Sequence, residues 1–349
     1  MSEYTRPLPD LSRSDEPRFG GKSANLGELL TAEIPVPPGF AISTAAFSAF
    51  VHDSGLENRI ASALAGVSTG DVDAIGRASH AISEAMRFAP VPEAVRAEIA
   101  ERYAGLGEDS PPVAVRSSAV GEDSQDATFA GQQETYLWVR GVEHVCDAVR
   151  DCWVSLYSPP AISYRLRLGD SAAEPAMGVT VQLMVDAEVS GVMFTCNPVS
   201  GDPSMVAINA SWGLGLAVVG GEVTPDDYLV SKVTREVVRE HVHIKDVQYV
   251  PDAGGSGAVR LGVPDEQREA RCLDQPALVR RVDVARRVER YFGSHQDIEW
   301  ALARGGEREL FVVQARPVTA VPKKQPAGRA ESAMSLIMST FGAKPPKGE

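Results

Sequence analysis

The feature that most constrains the fold of this 349-residue chain is the close succession of strand-like segments with only a turn between them. MGVTVQLMV (177–185) is followed after a polar turn by SGVMFTCNP (190–198), and DIEWAL (297–302) is followed by ELFVVQARPV (309–318). Strands joined so tightly form hairpins, whereas a parallel pair needs a long crossover. Helical patterns lie near residues 44–66, 71–103, 142–167 and 275–292. The sequence therefore predicts an α+β protein rather than the strict βαβ alternation of a Rossmann sheet.

Composition and charge exclude several classes of protein. The chain is 44% hydrophobic and 23% charged, as in ordinary soluble globular proteins, and no apolar run approaches the ~18 residues that span a bilayer. Its net charge is −13, from 34 Lys and Arg against 47 Asp and Glu, which disfavours a general nucleic-acid binder. An anionic small-molecule substrate stays open, because a few placed cations can outweigh the global charge within a cleft.

The cysteines and the N-terminal segment indicate a reducing compartment. The four cysteines form no CxxC pair and no zinc-like cluster with the six histidines, so we expect reduced thiols in the core. The N-terminal segment has no apolar region after a basic start, as a secretory signal would have. A cytoplasmic location is therefore expected, since thiols stay reduced there.

A glycine-rich turn near the N-terminus presents a lysine. Gly20-Gly21-Lys22-Ser23 is similar to part of a P-loop, but the first glycine of that motif is missing because Glu16 holds its position. A lysine beside a helix start can bind phosphate, although a surface lysine in a turn has the same pattern. The turn alone therefore leaves both interpretations open.

Two further segments have the residue types of a phosphate site. Arg116 follows the apolar run of PPVAVRSSA (111–119), where it either points into a crevice or forms a structural salt bridge. Residues 128–133, which include Gly131, form a glycine loop whose backbone N–H groups can cover a phosphate.

The C-terminal hairpin has the most specific polar pattern. Because side chains alternate between the faces of a strand, Asp297 and Glu299 share one face, and Gln314 and Arg316 share a face of the returning strand. The same alternation puts on the opposite face Phe311, Val313 and Ala315. Two carboxylates, an amide and an arginine on adjacent strands can hold a magnesium-bound triphosphate, though a solvated polar face has the same pattern.

Six sequence blocks occur in order between about residue 19 and residue 318. They are GGKSANLGEL with PVPPGFAIS, AVRSSAVGEDSQDATFAGQQETYL, VQLMV, SGVMFTCNPVSG, SWGLG with VTPDDYLV, and DIEWAL with LFVVQARPV. Together they resemble the nucleotide-binding region of the pyruvate phosphate dikinase and phosphoenolpyruvate synthase family. The resemblance implies an ATP-grasp fold with two subdomains that clamp ATP between them. The implied division is 1–186, 187–320, and a linker with an amphipathic tail at 321–349 that either folds back or docks a partner.

The resemblance also implies roles for particular residues. The positions that match the family's phosphate contacts are Lys22, Arg116, Gly131 and Arg316, of which the lysine and the two arginines form the implied catalytic set. The positions that match its metal ligands are Glu299 and Gln314, with Mg2+ as the expected ion and Mn2+ as an alternative. Asp297 belongs to the same motif without an assigned role.

The adenine-binding edge and one departure complete the comparison with the family pattern. Gln182, Met184 and Val185 match the segment whose edge reads adenine. The family often has GLGE where this chain has a leucine, Leu216, at the last position. Glu222 is the candidate to replace that glutamate in contacting ribose or metal.

The same resemblance implies a phosphotransferase that needs a partner. Family enzymes pass a phosphoryl group from ATP to a histidine on a swivelling domain, which delivers it to an acceptor on a third domain. None of the six histidines lies in a phosphohistidine-like motif, and the chain ends about thirty residues after QARP. We therefore expect an ATP-binding subunit whose partner subunit carries the phosphohistidine and the acceptor site. This layout resembles phenylphosphate synthase and its p-cresol relatives, which release AMP and phosphate and pass the β-phosphoryl group of ATP to a phenol.

Three other functions stay open from the sequence. A split phosphoenolpyruvate synthase would use pyruvate as the acceptor, and a rifamycin-type phosphotransferase fragment would use an antibiotic. A nucleotide-sensing interaction module would bind ATP without transferring phosphate. Such a sensor is expected to lose the phosphate and metal residues, and this chain keeps them, which favours an enzyme.

Overall fold

The computed structural model describes residues 4–107, 109–121, 134–169, 175–252, 255, 257–305 and 309–318. The chain divides into two compact units, Met1–Gly27 with Pro38–Met184, and Glu28–Pro37 with Val185–Glu349. The contacts put the boundary between the two units at 184/185, and they group residues 28–37 with the second unit although these residues belong to the N-terminal half of the sequence. Within the described ranges, no helix is long and apolar enough to cross a membrane.

The first unit is built on a five-stranded sheet with helices. Its strands are β1 (Thr5–Pro7), β2 (Gly39–Ile42), β3 (Val113–Ala119), β4 (Thr135–Val139) and β5 (Met177–Leu183), in the order β1-β2-β5-β3-β4. Its helices are α1 (Glu16–Phe19), the start of α2 (Gly21–Thr31), α3 (Thr44–Asp53), α4 (Glu57–Leu64), α5 (Val72–Phe88), α6 (Glu93–Ala104), α7 (Val142–Ser155) and α8 (Pro159–Leu168). Every neighbouring pair of strands in this sheet is antiparallel.

The second unit is built on a six-stranded sheet and one long helix. Its sheet strands are β6 (Ala187–Phe194), β7 (Met205–Trp212), β8 (Asp226–Ser231), β9 (Val237–His241), β12 (Gln296–Ala303) and β13 (Leu310–Pro317), in the order β13-β12-β6-β7-β8-β9. A separate hairpin consists of β10 (Val247–Pro251) and β11 (Ala258–Gly262), and the helices are α9 (Leu216–Val219), α10 (Asp265–Arg268) and α11 (Gln275–Phe292). All pairs in the larger sheet are antiparallel, so the predicted α+β class is confirmed.

The two faces of the first sheet differ in chemistry. One face is apolar, since alternate strand residues such as Val115, Val181 and Phe40 join the core formed with the helices. Trp153 of α7 is fully buried in this core and packs against Phe50 with ring centroids 5.1 Å apart. The other face carries the side chains between these positions and includes Ala41, Ala114, Arg116, Thr180 and Gln182. Two of the predicted site residues, Arg116 and Gln182, therefore lie on this face.

Helix α11 packs beneath β12 in the second unit. It begins where the Asp274 side chain accepts a hydrogen bond from the Ala277 amide (2.8 Å), and it ends at Gly293 in the left-handed conformation (φ 68°). Both are common signals at helix ends. Its Arg281 is fully buried, with the guanidinium carbon 3.8 Å from the centroid of the Trp300 ring of β12. The helix therefore packs on the face of the sheet that carries Trp300, which is opposite to the face from which the Asp297 side chain projects.

The four cysteines are all buried and free, in agreement with the prediction of reduced core thiols. Burial raises the pKa of Cys146 to about 11, so this group stays a neutral thiol near pH 7. The described residues contain no cluster of three or more His, Cys, Asp or Glu side chains that would hold a metal by themselves.

Candidate functional site

A glycine turn brings Lys22 against strand β3. Gly20 has φ 79°, and a Cβ at this position would come within 1.9 Å of the Ser118 carbonyl oxygen. Only glycine allows this approach, so the turn is required for α2 to start beside β3. The Lys22 ammonium then donates a hydrogen bond to the Ser117 carbonyl (2.8 Å), and the lysine is 5% exposed. Of the two interpretations left open by the sequence, the surface lysine is therefore wrong, because Lys22 is a buried cation held at a strand.

Arg116 and Gln182 lie on the same face of the first sheet. Arg116 of β3 is directly opposite Thr180 of β5, and Gln182 follows two residues later on β5. Side chains two residues apart on a strand share a face, so the arginine and the amide are diagonal neighbours. Gln182 is almost fully buried and lies opposite Gly39 of β2 and Ala114 of β3.

The remaining members of the predicted adenine segment continue from β5. The Met184 amide donates to the Pro112 carbonyl (2.9 Å), which extends the pairing of β5 with the β3 side by one residue. Met184 is the last residue of the first unit, and Val185 begins the second unit. Gly131 and the rest of its predicted glycine loop lie outside the described residues.

Hydrogen bonds that the sequence does not reveal connect the lysine turn to the sheet. The Ser23 amide donates to the Ser118 hydroxyl (3.1 Å), and the Ser23 and Thr180 hydroxyl oxygens lie 2.7 Å apart. Ser23 and Thr180 are both 0% exposed. They are 157 positions apart in sequence, so only the folded chain shows that they are partners.

The C-terminal hairpin pairs the predicted polar residues in register. Asp297 of β12 lies directly opposite Arg316 of β13, and Glu299 lies directly opposite Gln314. Directly opposite residues of antiparallel strands project from the same face of the sheet. The Arg316 Nε donates to an Asp297 carboxylate oxygen at 2.9 Å. The four side chains therefore share one face, as the alternation predicts.

Asp297 has a buried carboxyl group whose two oxygens differ in their contacts. It is 4% exposed, and burial raises its pKa to about 6, with a further increase from nearby Glu299 and an opposing effect of Arg316. Its Oδ1 has no hydrogen-bond partner among the described residues. Such a buried oxygen is costly unless it binds a donor or a cation. This oxygen, the Glu299 carboxylate and the Gln314 amide are hard ligands of the kind that Mg2+ prefers, so the residues fit this ion.

A β-bulge corrects the predicted faces of β13. The pairing of β12 with β13 shifts after Glu299–Gln314, because Val313 is an extra residue on β13. The next aligned pairs place Phe311 opposite Ala301, on the same face as Glu299. The regular alternation assumed from the sequence placed Phe311 on the other face, and this is wrong because one extra residue inverts the phase of a strand.

Glu222 is held at the surface by the β10–β11 hairpin. Its two carboxylate oxygens accept hydrogen bonds from the Tyr249 hydroxyl (2.8 Å) and from Nε of Arg260 (3.0 Å). These bonds lower the pKa of the Glu222 carboxyl, so it is ionised at neutral pH. Leu216, where a family glutamate was expected, is the first residue of α9. A nucleotide contact by Glu222 stays a prediction.

The predicted site residues fall into two sets. The described members in the first unit are Lys22, Arg116, Gln182 and Met184. Those in the second unit are Val185, Glu222, Asp297, Glu299, Gln314 and Arg316. The first set offers a lysine on α2 together with an arginine and an amide on one sheet face, and the hairpin of the second offers carboxylates, an amide and an arginine.

The chain matches a known domain family and several known proteins along most of its length. Residues 16–335 match the family described as pyruvate phosphate dikinase, AMP/ATP-binding domain. A probable phosphoenolpyruvate synthase of Methanothermobacter thermautotrophicus is 38% identical across 99% of this chain and 50% of its own length. A second, from Methanocaldococcus jannaschii, is 38% identical across 97% of this chain and 29% of its own length. The phosphoenolpyruvate synthase of Pyrococcus furiosus is 35% identical across 98% of this chain and 47% of its own length.

The chain spans half or less of the length of these three relatives, between 29% and 50%. Among solved structures, D-cycloserine synthetase aligns with 12% identity and a TM-score of 0.26 across 84% of this chain and 61% of its own, values too low to bear on the fold. The α+β units with antiparallel sheets are consistent with the ATP-grasp fold that the resemblance implies.

Proposed function

The chain belongs to the pyruvate phosphate dikinase AMP/ATP-binding domain family, and we propose that it binds ATP with a divalent cation and donates a phosphoryl group from it. The observation that supports this best is the register of β12 and β13, which sets Asp297 beside Arg316 and Glu299 beside Gln314 on one face. Carboxylates and an arginine in such an arrangement suit a metal-bound phosphate chain, because the metal and the guanidinium both offset phosphate charge.

In this proposal each residue has a separate task. Glu299 and Gln314 hold Mg2+, which withdraws charge from the phosphates when it is bound. Arg316 binds the oxygens of the phosphoryl group that is transferred. Lys22 and Arg116 bind the other phosphates of ATP. Positioned cations of this kind lower the barrier to phosphoryl transfer by stabilising charge in the transition state.

Gln182, Met184 and Val185 are proposed to read the adenine ring. A buried amide such as that of Gln182 has both donors and an acceptor, which suits the edge of a base. Glu222 is proposed as a ribose or metal contact, and Gly131 as part of a loop over the phosphates. The effect of Glu222→Gln on the affinity for ATP tests the proposed ribose or metal contact.

The phosphoryl group is proposed to leave on a histidine that a separate subunit supplies. The six histidines of this chain include His80, which is exposed on α5, and His295, whose Nδ1 lies 2.7 Å from the Glu289 carboxylate. Neither lies in the kind of motif expected of a phosphohistidine. The histidine would take the β-phosphoryl group and pass it to the acceptor; AMP would leave as the bond between the α- and β-phosphates breaks, and phosphate would leave as water cleaves the bond between the β- and γ-phosphates.

Pyruvate is the acceptor that the relatives favour, because proteins named phosphoenolpyruvate synthase align with nearly all of this chain. The phenolic acceptor expected from the layout of the chain has no support among these relatives. Both acceptors therefore belong in the test, together with rifamycin.

The experiment combines the chain with a candidate histidine-bearing subunit, Mg2+ and ATP labelled at the β-phosphate. We expect label on the partner's histidine, and on pyruvate when it is present, together with AMP. The variant Glu299→Gln should lose at least ~100-fold in rate, because it removes one charge from the metal site. Glu309→Gln is the matched control, an exposed carboxylate just before β13. Absence of MgATP binding by the wild-type chain would overturn the proposal. Label found on a phenol and not on pyruvate would show that the acceptor is a phenol.

A further inference from the structure

A pair of buried hydroxyl groups joins α2, which carries Lys22, to β5, the strand paired with β3, which carries Arg116. Ser23 follows Lys22 on α2, and Thr180 of β5 is directly opposite Arg116 of β3. The oxygens of Ser23 and Thr180 are 2.7 Å apart, and both residues are 0% exposed. One short hydrogen bond thus connects Ser23, which follows Lys22 in the sequence, to Thr180, which lies opposite Arg116 in the sheet.

The first turn of α2 also makes two hydrogen bonds to β3, the strand that carries Arg116. The Ser23 amide donates to the Ser118 hydroxyl (3.1 Å), two residues beyond Arg116, and the Lys22 ammonium donates to the Ser117 carbonyl (2.8 Å). Gly20 permits this contact, because any Cβ there would collide with the Ser118 carbonyl. The turn is therefore attached to the sheet through backbone, hydroxyl and ammonium groups together.

Packing alone does not explain two hydroxyl groups at these positions. The strand neighbours of Thr180 are Val179 and Val181, and valine has nearly the shape of threonine without its hydroxyl. A valine at 180 and an alanine at 23 would bury less polar surface in a site closed to water. Burying hydroxyl groups is costly unless they are paired, so the pair is expected to serve a geometric purpose.

We propose that Ser23 and Thr180 are positioning residues that set the distance between Lys22 and Arg116. Two cations on separate elements bind one phosphate chain well only when their spacing matches it, and a displacement near 1 Å can cost ~100-fold in rate. The inference rests on the proposed function, because it assumes that Lys22 and Arg116 bind the phosphates of the nucleotide.

The test compares the variants Ser23→Ala, Thr180→Val and the double variant with the wild-type chain. Each variant is measured for the affinity of MgATP, the affinity of adenosine, and the midpoint of thermal unfolding. We expect each single change to weaken MgATP binding about tenfold and to leave adenosine binding unchanged, since adenosine has no phosphates. The double variant should bind MgATP no worse than either single variant, because both disrupt the same hydrogen bond.

Two controls separate positioning from general stability. Thr180→Ser keeps the hydroxyl and should retain wild-type affinity for MgATP. Ser155→Ala removes another buried hydroxyl of the same unit, which donates to the Cys152 carbonyl within α7, and should lower stability without changing MgATP affinity. In the double variant no hydroxyl is left unpaired, so its unfolding midpoint should be close to that of the wild type.

The possible failures are distinguishable. If the double variant folds and binds MgATP as tightly as the wild type, the positioning role is wrong while the proposed function stands. If adenosine and MgATP lose affinity equally, the pair acts on the fold rather than on the phosphate contacts, and the inference is also wrong. If the wild-type chain does not bind MgATP at all, the proposed function itself fails.

Discussion

At the scale of single residues, Asp297 and Arg316 depend on each other. The Asp297 side chain is 4% exposed and that of Arg316 is 22% exposed, so this carboxylate is shielded from water and depends on the arginine to offset its charge. Without the arginine, which lowers the Asp297 pKa, the buried carboxyl either stays charged without compensation or takes up a proton, and both are costly. We expect Arg316→Ala to lower the free energy of unfolding by about 2–3 kcal/mol, measured by urea denaturation at pH 7.

A double substitution separates this structural effect from the proposed chemistry. Asp297→Leu combined with Arg316→Met replaces the pair by apolar side chains of similar size, so most of the lost stability should return. The double variant should still form no AMP, because the guanidinium at the transferring phosphate is gone. AMP formation in this variant would contradict the assigned role of Arg316, and stability as low as that of Arg316→Ala would contradict the charge argument.

At the scale of elements, the sequence predicts what local signals encode. The helix expected at 275–292 is α11, Gln275–Phe292, because an aspartate cap, a proline in its first turn and a glycine at its end are all local features. The pairing of Asp297 with Arg316 follows from the alternation along two strands joined by a turn. The bulge at Val313 has no such local signal, since it is defined by the partner strand.

Deleting Val313 tests what the bulge does. Deletion leaves both flanking pairs in register, so β12 and β13 can still form a regular ladder, and we expect the unfolding midpoint to fall by only a few degrees. A bulge also increases the local twist, and without it Gln314 and Glu299 should be oriented differently. MgATP affinity, measured by calorimetry, should fall about tenfold or more. Val313→Ala keeps the bulge and is the control, and equal affinity for the deletion and for Val313→Ala would mean that the bulge has no role in binding.

The glycine turn before α2 gives a second prediction at this scale. Gly20→Ala should destabilise the chain by roughly 3 kcal/mol or more, because the residue has φ 79° and ψ 163° and its Cβ would lie 1.9 Å from a carbonyl oxygen. Gly76→Ala in α5 is the matched change, since a Cβ there meets nothing within 4 Å and alanine favours helix. It should raise stability by about 0.5–1 kcal/mol in the same urea titration. Equal effects of the two changes would contradict the steric argument.

At the scale of the whole molecule, the second unit contains a segment from the other end of the sequence. Residues 28–37 belong to it, and the Val312 amide at the outer edge of the six-stranded sheet donates to the Pro35 carbonyl (2.8 Å). Ile34 and Val36 are 2% and 6% exposed, and Arg287 of α11 donates to the Glu33 carbonyl (2.7 Å). The sequence could not show this arrangement, because contacts between residues almost 280 positions apart leave no local pattern.

This arrangement predicts that the second unit cannot be separated from the N-terminal half by one cut. A fragment of residues 185–318 should unfold at lower urea than the second unit does in the intact chain, because the sheet edge and the α11 contacts with residues 28–37 are exposed in it. Adding a peptide of residues 28–37 should raise the unfolding midpoint of the fragment in proportion to the logarithm of peptide concentration once binding nears saturation. The same peptide with Ile34→Asp and Val36→Asp should have little effect, since burying the two carboxylates would be costly. A fragment with the same midpoint with and without the unmodified peptide would show that residues 28–37 do not stabilise this unit.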